Sequence, residues 1–250
     1  MKMIVLKSAA ELETMKEACR ISAGALKVAE AVIQPGITTA DVDDAIRDYI
    51  RSEGAKATFK GYGGFPKSAC VSINEEIIHG IPNRKRHLEE GDIVSVDVGA
   101  FKNGFTGDNA ATYTVGRVSD DAQKIIDVTR ECLVRAIAAA QPGNRIGDIG
   151  HAVQTYAEAN GCSVVRDYVG HGVGRELHEE PEVPNYGSAG HGARLVPGMT
   201  IAIEPMICLG RYDVEVLDND WTVVTRDGSL SAHFEHTVAI TPNGPVILTV

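Results

Sequence analysis

Two apolar segments of this chain carry an acid at the same point of a shared pattern, and this feature limits the possible folds more than any other. Residues Gly91 to Asp97 read GDIVSVD, and residues Gly198 to Glu204 read GMTIAIE. Val and Ile alternating with small residues are typical of strands. A buried carboxylate is costly unless it is paired with a cation or bound to a metal. The two segments therefore predict one shared site built around Asp97 and Glu204.

The match between the segments continues upstream, which indicates an internal duplication. Both copies contain a Gln-Pro-Gly sequence, at residues 34–36 and 141–143. The other matched positions are Asp41 with Asp148, Ala45 with Ala152, Tyr49 with Tyr156, and Gly54 with Gly161. Two copies of one supersecondary unit are predicted to face each other across a pseudo-twofold axis, with the functional site between them. We therefore predict one domain over residues 1–250, with a repeat that spans about 8–106 and 115–213.

Capping signals and apolar spacing predict two helices in each half. Ser8 and Glu11 form a capping-box pattern before the first helix, which continues to Pro35-Gly36. The other helices are predicted from Thr39, as the cap, through Glu53, near 120–140 and near 148–160. Strands are predicted at 69–73, 92–99, 109–115, 163–169, 200–207, 221–225, 234–241 and 245–249. The predicted fold class is α+β, with a mostly antiparallel sheet backed by helices.

Side chains alternate along a strand, so each acid shares a face with the small residues of its segment. Asp97 is in phase with Ser95, and Glu204 is in phase with Ala202. The larger Val and Ile side chains should then point towards the helices. The acids should lie on the opposite, concave face of the sheet.

Composition argues against several classes of protein. The net charge of −10 disfavours specific nucleic-acid binding, and the short basic run at 84–87 is more typical of a solvated loop than of a docking patch. No apolar stretch has the length of a membrane span, and the run near the start is too short for a secretory signal, so we predict a cytoplasmic protein. The five cysteines are widely spaced and indicate neither a disulfide framework nor a zinc knuckle. A monomer is the default expectation.

Three further residues extend the set of metal-binding side chains. Asp108 is predicted to open the strand after the turn at 102–104, and Glu235 lies in another strand-like run. His171 lies between glycines that would let backbone and ligand approach closely. Four carboxylates and one imidazole form a hard, oxygen-rich set that suits two divalent ions. Any one of these residues alone would be read as a surface acid or a satisfied histidine, so the prediction depends on the whole set.

The order of these five residues resembles the ligand order of the methionine aminopeptidase family, which has the pita-bread fold. The similarity covers nearly the whole chain and includes His79–Pro82, Gly170–Gly174, His178–Pro181, Pro197–Thr200, Ile203–Met206 and Ser231–His236. It is to the bacterial type I form, because the type II form carries a long insertion between its His ligand and its first Glu ligand. The resemblance implies a metal-dependent aminopeptidase that removes the initiator methionine from nascent proteins when the second residue is small.

The resemblance also implies a role for each candidate ligand. Two divalent ions, of Co, Mn, Fe or Zn, would lower the pKa of water and supply a nucleophile near neutral pH. Asp97 would bridge or chelate, Asp108 and Glu235 would bridge the ions, His171 would hold one ion alone, and Glu204 would bind metal and manage the proton of the nucleophile. The two catalytic histidines, His79 and His178, would donate hydrogen bonds to the substrate amide and to the scissile carbonyl.

The methionine side chain would bind in a pocket of aromatic, sulfur and aliphatic groups. By resemblance the pocket is lined by Phe59, Tyr62, Phe65, Cys70, Leu177 and Trp221, together with His79 and His178. The chain departs from the family at positions 59, 65 and 177, where Cys, Tyr and Phe are common. Asn74 and Ser231 would help to hold a monovalent cation, as their counterparts do. The expected partners are the N-terminal Met of nascent polypeptides and, transiently, the ribosome, with no membrane. Lys2, as a long second residue, should protect Met1.

Several alternatives share parts of this pattern. Prolidase and aminopeptidase P use the same ligand types but carry a preceding domain, for which we expect no room here. Creatinase has the fold without the metals, and a non-enzymatic pita-bread binding protein would be expected to lack ligands and to carry basic extensions. The segment 178–182 lacks the second histidine of a zincin. No cysteine lies in a recognisable cysteine-peptidase motif.

Overall fold

Helices lie on one side of the molecule's main sheet, in the order that the capping signals predicted. The computed structural model describes residues 3–250, so Met1 and Lys2, and the prediction that Lys2 protects Met1, lie outside the described residues. The helices are α1 (Ala9–Val32), α2 (Thr39–Ser52), α3 (Asp120–Ala139) and α4 (Ile146–Ala159), with a short 3-10 turn at Tyr62–Gly64. Among residues 3–250, no helix has the combined length and apolar character of a membrane span.

The strands of this part of the chain pair in antiparallel fashion. They are β1 (Lys56–Ala57), β2 (Cys70–Ile73), β3 (Glu76–Ile78), β4 (Ile93–Lys102), β5 (Phe105–Thr114), β6 (Ser163–Val164), β7 (Gly170–Gly172), β8 (Glu179–Val183), β9 (Thr200–Ile203), β10 (Met206–Cys208), β11 (Val214–Val216), β12 (Val223–Thr225), β13 (Ser231–His233), β14 (Glu235–Thr241) and β15 (Gly244–Ile247). The main sheet has the order β1-β4-β5-β14-β9-β7-β8, with β2 also paired to β4 and β15 to β14. Smaller sheets have the orders β13-β10-β6 and β11-β12-β3.

The helix boundaries follow local capping interactions. The Ser8 side chain accepts a hydrogen bond from the Glu11 backbone, and the Glu11 carboxylate accepts one from the Ser8 backbone, so the predicted capping box is present. The predicted cap of α2 was wrong by one residue. Thr38 is the cap, since its hydroxyl accepts from the Asp41 backbone at 3.1 Å. Helix α4 begins at Ile146, before the predicted position.

The strand predictions differ from the structure mainly where prolines and short strands occur. The predicted strand at 200–207 is two strands, because Pro205 has no N–H to donate after Glu204 and the chain moves to another sheet. The predicted strand at 163–169 contracts to β6. Strand β5 begins before Asp108, which therefore lies inside the strand and does not open it. Strands β1, β3, β7, β8, β11 and β13 were not predicted.

The apolar core separates the helices from the acid-bearing face of the sheet. Val94, Val96 and Val98 are buried in one cluster with side chains of α1 and α2. Ile201 and Ile203 are buried in a second cluster with side chains of α3 and α4. Full burial of each Val or Ile stabilises the fold by about 1.5–3 kcal/mol. Because neighbouring positions along each strand point the other way, this packing directs Asp97 to the face away from the helices, as predicted.

One close contact brings α1 directly onto the central hairpin. A Cβ atom on Gly107, in β5, would lie 2.5 Å from the backbone of Cys19 in α1. Only glycine leaves room for this approach. The contact holds the β4–β5 hairpin against the helices, so the carboxylates on its other face have a rigid support.

Candidate active site and metal centre

A cavity of about 310 Å³ opens on the face of the main sheet that is free of helices. Most of its lining falls into two groups, a carboxylate floor and an apolar wall. The carboxylate floor consists of Asp97, Asp108, His171, Glu204 and Glu235, and the apolar wall consists of Phe59, Phe65, Cys70, Leu177 and Trp221. Tyr62, His79 and His178 line the cavity as well, so each predicted ligand, catalytic and pocket residue faces the same space.

Strand register brings the acids of the floor together. Ala110 in β5 lies opposite Asp97 in β4 on one side and opposite Glu235 in β14 on the other. Three adjacent strands thus form a row with a small residue between two carboxylates. Asp108, two residues before Ala110, is on the same face. Glu204 follows β9, whose last residue Ile203 pairs with the neighbour of Glu235.

Three of the five floor residues form a compact group, and the other two flank it. Donor atoms of Asp108, His171 and Glu235 all lie within 4.8 Å of one another. The Nε2 atom of His171 lies 3.6 Å from Oδ2 of Asp108 and 3.5 Å from Oε1 of Glu204. Asp97 and Glu204 line the same cavity outside this group. One small ion would contact the compact group, and a second would need the flanking acids.

Burial makes the floor electrostatically unfavourable for a protein without added cations. Burial raises the pKa of Asp108 to about 7. Burial, reinforced by the charges of neighbouring acids, also raises the pKa values of Asp97, Glu204 and Glu235 well above their usual range. In residues 3–250, Oδ1 of Asp97 and Oε1 of Glu235 have no hydrogen-bond partner. Asp108 and Glu204 lie near the rings of His171 and His233, whose pKa values burial lowers to about 3, and no Lys or Arg of residues 3–250 pairs with any of the four acids.

The imidazole of His171 is oriented as a metal ligand. Its Nδ1 lies 2.8 Å from the carbonyl oxygen of Gly172, which can only accept, so Nδ1 carries the proton. Burial lowers the pKa of His171 to about 3, so the ring is neutral and Nε2 presents a lone pair to the acids. A fixed Nδ1–H bond of this kind is the usual support of a metal-binding histidine. The donor set of the floor therefore fits divalent metal ions.

The two histidines outside the floor are held by different contacts. Nδ1 of His178 lies 2.6 Å from the hydroxyl of Tyr62, and its ring meets that of His171 with centroids 4.3 Å apart. His79 has a backbone φ of +59°, in the left-handed region that few non-glycine residues adopt. Its ring packs edge-on to Tyr168 and Trp221. Burial lowers the pKa of His79 to about 4 and lowers that of His178, so both rings are neutral near pH 7.

The apolar wall is a packed cluster beside the floor. Phe59, Phe65, Cys70 and Leu177 are buried together, and Trp221 packs against them. The Phe65 and Trp221 rings meet edge to face with centroids 5.1 Å apart. Tyr62, by contrast, is 43% exposed and lies at the rim. The residues at 59, 65 and 177 thus belong to one apolar cluster next to the carboxylates.

The residues predicted to hold a monovalent cation lie close together, away from the floor. The Asn74 side-chain nitrogen donates a hydrogen bond to Oδ1 of Asp92, and its oxygen accepts one from the backbone N–H of Ile93. The Ser231 hydroxyl lies 3.2 Å from the carbonyl oxygens of both Asn74 and Glu76. The oxygens that converge there are therefore two carbonyls and the Ser231 hydroxyl, and the Asn74 amide group is engaged elsewhere. The cation itself stays a prediction.

Sequence reasoning missed two polar residues of this region. His233 is 1% exposed, and its Nε2 lies 3.5 Å from Oε2 of Glu204. Tyr168 lines the cavity beside His79. His233 could have been found from strand periodicity, because it precedes Glu235 by two residues. Tyr168 lies at the end of an irregular segment before β7, and no local pattern places its side chain.

Comparison with known proteins gives full-length matches. The chain matches the description "Metallopeptidase family M24" over residues 13–242. It is 54% identical over 247 residues to the methionine aminopeptidase of Clostridium acetobutylicum, covering 99% of each chain. It is 51% identical over 247 residues to methionine aminopeptidase 1 of Bacillus subtilis, again covering 99% of each.

Solved structures place the chain in the same group. The crystal structure of the methionine aminopeptidase of Thermotoga maritima matches with a TM-score of 0.97 and 50% identity, covering 99% of both chains. The prolidase of Pyrococcus furiosus matches with a TM-score of 0.77 and 25% identity, covering 98% of this chain and 65% of that one. These neighbours confirm the predicted α+β, pita-bread fold.

Proposed function

This chain belongs to metallopeptidase family M24, and we propose that it is an aminopeptidase that removes the N-terminal methionine of polypeptides whose second residue is small. One observation carries the proposal. Four carboxylates, of which Asp108 and Glu235 are buried and Asp97 and Glu204 partly buried, converge with the Nε2 lone pair of His171 without a cation from the described residues, directly beside an apolar wall. Relatives that are 50% or more identical and match over full length carry the name methionine aminopeptidase.

We propose that the floor holds two divalent ions of Co, Mn, Fe or Zn, all of which accept such ligands. Asp108 and Glu235 would bind both ions. Asp97 and His171 would each bind one ion, and Glu204 would be the fifth ligand. Ions bound there would supply a hydroxide nucleophile near neutral pH by lowering the pKa of water. The four acids would balance the charge of two such ions, which is why a pair suits this floor better than a single ion.

Glu204 is the floor residue best suited to move a proton. It flanks the compact ligand group, and its second oxygen faces His233. A carboxylate whose pKa is raised by burial can accept a proton from the nucleophile and pass it to the leaving amine near neutral pH.

His178 and His79 are proposed to act on the substrate. Both rings are neutral, so each can donate one hydrogen bond. The Tyr62 hydroxyl can donate to Nδ1 of His178, which would leave the proton on Nε2 and direct it to the scissile carbonyl as negative charge develops there. His79, beside Trp221, would donate to the substrate amide. Neither ring is among the compact ligand group.

The apolar wall would hold the methionine side chain. A thioether suits a surface of two phenylalanines, a tryptophan, a thiol and a leucine, since sulfur packs well against aromatic edges. With the substrate's free amine at the floor and its side chain on the wall, the second residue would lie near His79 and the rim. A long second side chain would displace the reacting carbonyl, and a displacement of about 1 Å can cost about a hundredfold in rate.

We further propose that the protein acts as a cytoplasmic monomer. A cytoplasmic location follows from the proposed substrate, because nascent polypeptides with an initiator methionine emerge there, and transient contact with the ribosome would follow for the same reason. One chain supplies every residue of the proposed site, so catalysis needs no second copy. Apart from this transient ribosome contact, the net charge of −10 argues against specific nucleic-acid binding.

The test is a pair of peptides, Met-Ala-Ser and Met-Lys-Ser, assayed with metal-free protein after anaerobic addition of each candidate metal. We expect release of methionine from Met-Ala-Ser only, and only after metal is added. The same assay on an X-Pro peptide without methionine is the control for prolidase-like activity. Comparable cleavage of the two Met peptides, or preference for the X-Pro peptide, would contradict the proposal.

A further inference from the structure

An ion pair between Lys7 and Glu179 is buried next to the segment that carries Leu177 and His178. The side chains of Lys7 and Glu179 are 3% and 9% exposed, and the ammonium contacts Oε2 of the carboxylate directly. Lys7 lies just before α1, whereas Glu179 begins β8, so the pair joins two distant parts of the chain. Lys7 belongs to no part of the cavity lining.

The other oxygen of Glu179 accepts hydrogen bonds from backbone amides of its own segment, residues 175–179. Oε1 accepts a hydrogen bond from the backbone N–H of Arg175 at 2.8 Å and lies 3.3 Å from that of Glu176. Leu177 and His178 lie between these two amides and Glu179. One carboxylate therefore spans the segment that carries a wall residue and a proposed catalytic histidine.

Lys7 itself is held in place on several sides. Its backbone N–H donates to the carbonyl of Gly198 at 2.8 Å, and its ammonium also donates to the carbonyl of Val5 at 3.1 Å. A Cβ atom on Gly174 would lie 2.5 Å from Cε of Lys7 and 2.6 Å from Oε1 of Glu179. Both side chains of the ion pair therefore pack closely against Gly174.

A second tether on the same segment provides a natural comparison. Arg175 pairs with Glu11 of α1, but these side chains are 58% and 35% exposed. Exposed ion pairs contribute little, because water screens them. A buried pair that loses one partner leaves an uncompensated charge, which is strongly unfavourable. The Lys7 contact should therefore control the segment far more than the Arg175 contact does.

We propose that Lys7 is a positioning residue for catalysis, and that its ammonium holds Glu179, and through it His178 and Leu177, in the places that the reaction needs. This inference rests on the proposed function. Lys7 touches neither substrate nor metal. Its effect is transmitted by the carboxylate of Glu179 and the two amides that this carboxylate accepts.

The experiment compares three full-length variants with the wild-type enzyme. Lys7→Met keeps an unbranched stem and removes the ammonium, Lys7→Met/Glu179→Gln removes both charges, and Arg175→Ala removes the exposed tether as the control. For each, kcat and KM are measured with Met-Ala-Ser, metal affinity is measured by titrating Mn²⁺ into metal-free protein, and the ring ¹⁵N signals of His178 are recorded. Circular dichroism confirms that each variant is folded at the assay temperature.

We expect Lys7→Met to lower kcat/KM at least about tenfold, mostly through kcat, since a misplacement of about 1 Å can cost about a hundredfold. Its Mn²⁺ affinity should stay within about twofold of wild type, and its His178 signals should shift. The double variant should recover part of the lost activity, because the amide oxygen introduced by Glu179→Gln can still accept from Arg175 and no buried charge is left unpaired. Arg175→Ala should match wild type in all three measurements.

The inference is overturned if Lys7→Met resembles Arg175→Ala, or if the double variant is no better than Lys7→Met. It is also overturned if Mn²⁺ affinity falls in step with activity, because the damage would then reach the floor and not only the segment. The His178 signals need no turnover. If the wild-type enzyme failed to cleave Met-Ala-Ser, the proposed function would fail, while the signals would still decide whether Lys7 positions His178.

Discussion

The two groups that line the cavity differ in whether the chain completes them. In the apolar wall, Phe65, Trp221 and their neighbours pack against one another on one side and face the cavity on the other. In the carboxylate floor, buried oxygens of Asp97 and Glu235 have no partner in residues 3–250. The wall forms on folding and needs no added ion. The floor is built for a charge that the described chain does not supply.

This difference indicates where the molecule gives up stability for function. Burying apolar side chains stabilises the fold by about 25 cal/mol for each Å² removed from water. Burying four acids side by side opposes folding unless the acids keep their protons or bind cations. Two of the floor acids, Asp97 and Asp108, lie on a long hairpin, β4–β5, whose other face is packed against α1 and α2. A rigid support of this kind keeps the ligands in place before any ion arrives.

The largest expected effect comes from removing one charge of the floor. Glu235→Gln keeps the shape of the side chain but removes a ligand charge, so we expect turnover of Met-Ala-Ser to fall below detection and bound metal to drop. Asp43→Asn is the matched control. Asp43 is also buried, but its carboxylate accepts from the backbone of Ser68 and Ala69, outside the cavity. Metal content measured by mass spectrometry tests whether Glu235 is a metal ligand. Full occupancy with normal activity in Glu235→Gln would refute the metal assignment.

The elements that sequence could predict are those whose causes are local. The capping box of Ser8 and Glu11 and the apolar spacing after it define α1 within a few residues of chain. Strict alternation in β4 predicts that Asp97 faces away from the helices. The break after Glu204 also has a local cause, since Pro205 cannot continue a paired strand.

The elements that sequence could not predict depend on distant partners. Strand β8 reads EEPEV and has little apolar character of its own; it forms because β7 pairs with it. The bond between Tyr62 and His178 depends on a 3-10 turn that needs positive φ at Gly61 and Gly63. The position of His233 follows strand periodicity, but its contact with Glu204 forms only in the folded sheet. Pairings of this sort leave no periodic pattern in the chain.

The floor should also show a strong dependence of metal binding on pH, which the wall has no means to produce. Metal ions compete with protons for the carboxylates, and burial raises the pKa of Asp108 to about 7. Raising the pH from 6 to 8 should therefore strengthen Mn²⁺ binding by roughly tenfold from Asp108 alone, and further from Asp97, Glu204 and Glu235. His171, with a pKa of about 3, adds nothing in this range. Calorimetric titrations in two buffers of different ionisation enthalpy would detect the released protons, and an affinity that is flat with pH would exclude protonated acids.

The smallest expected effect is on the wall, and it should appear in substrate binding alone. Leu177 is 5% exposed and contributes aliphatic surface beside Phe59 and Cys70. Leu177→Ala shortens this side chain, and a substrate that loses contact with one to two methylenes, at about 0.8 kcal/mol each, should show a KM for Met-Ala-Ser raised about four- to fifteenfold. In the proposed binding mode the methionine side chain would contact the wall equally before and during the reaction, so kcat should stay within about twofold.

Leu177→Met is the control for this change, because it nearly conserves volume and should leave KM within about twofold. Both variants should keep the Mn²⁺ affinity and the pH dependence of the wild-type protein, since neither touches a floor carboxylate. Kinetics on Met-Ala-Ser and a norleucine analogue, with Mn²⁺ titrations beside them, separate the two regions. A loss of metal affinity in Leu177→Ala would show that wall and floor are coupled, through the segment that Glu179 closes and His178 shares with Leu177. Unchanged metal binding with a raised KM would show that substrate binding at the wall and metal binding at the floor are independent.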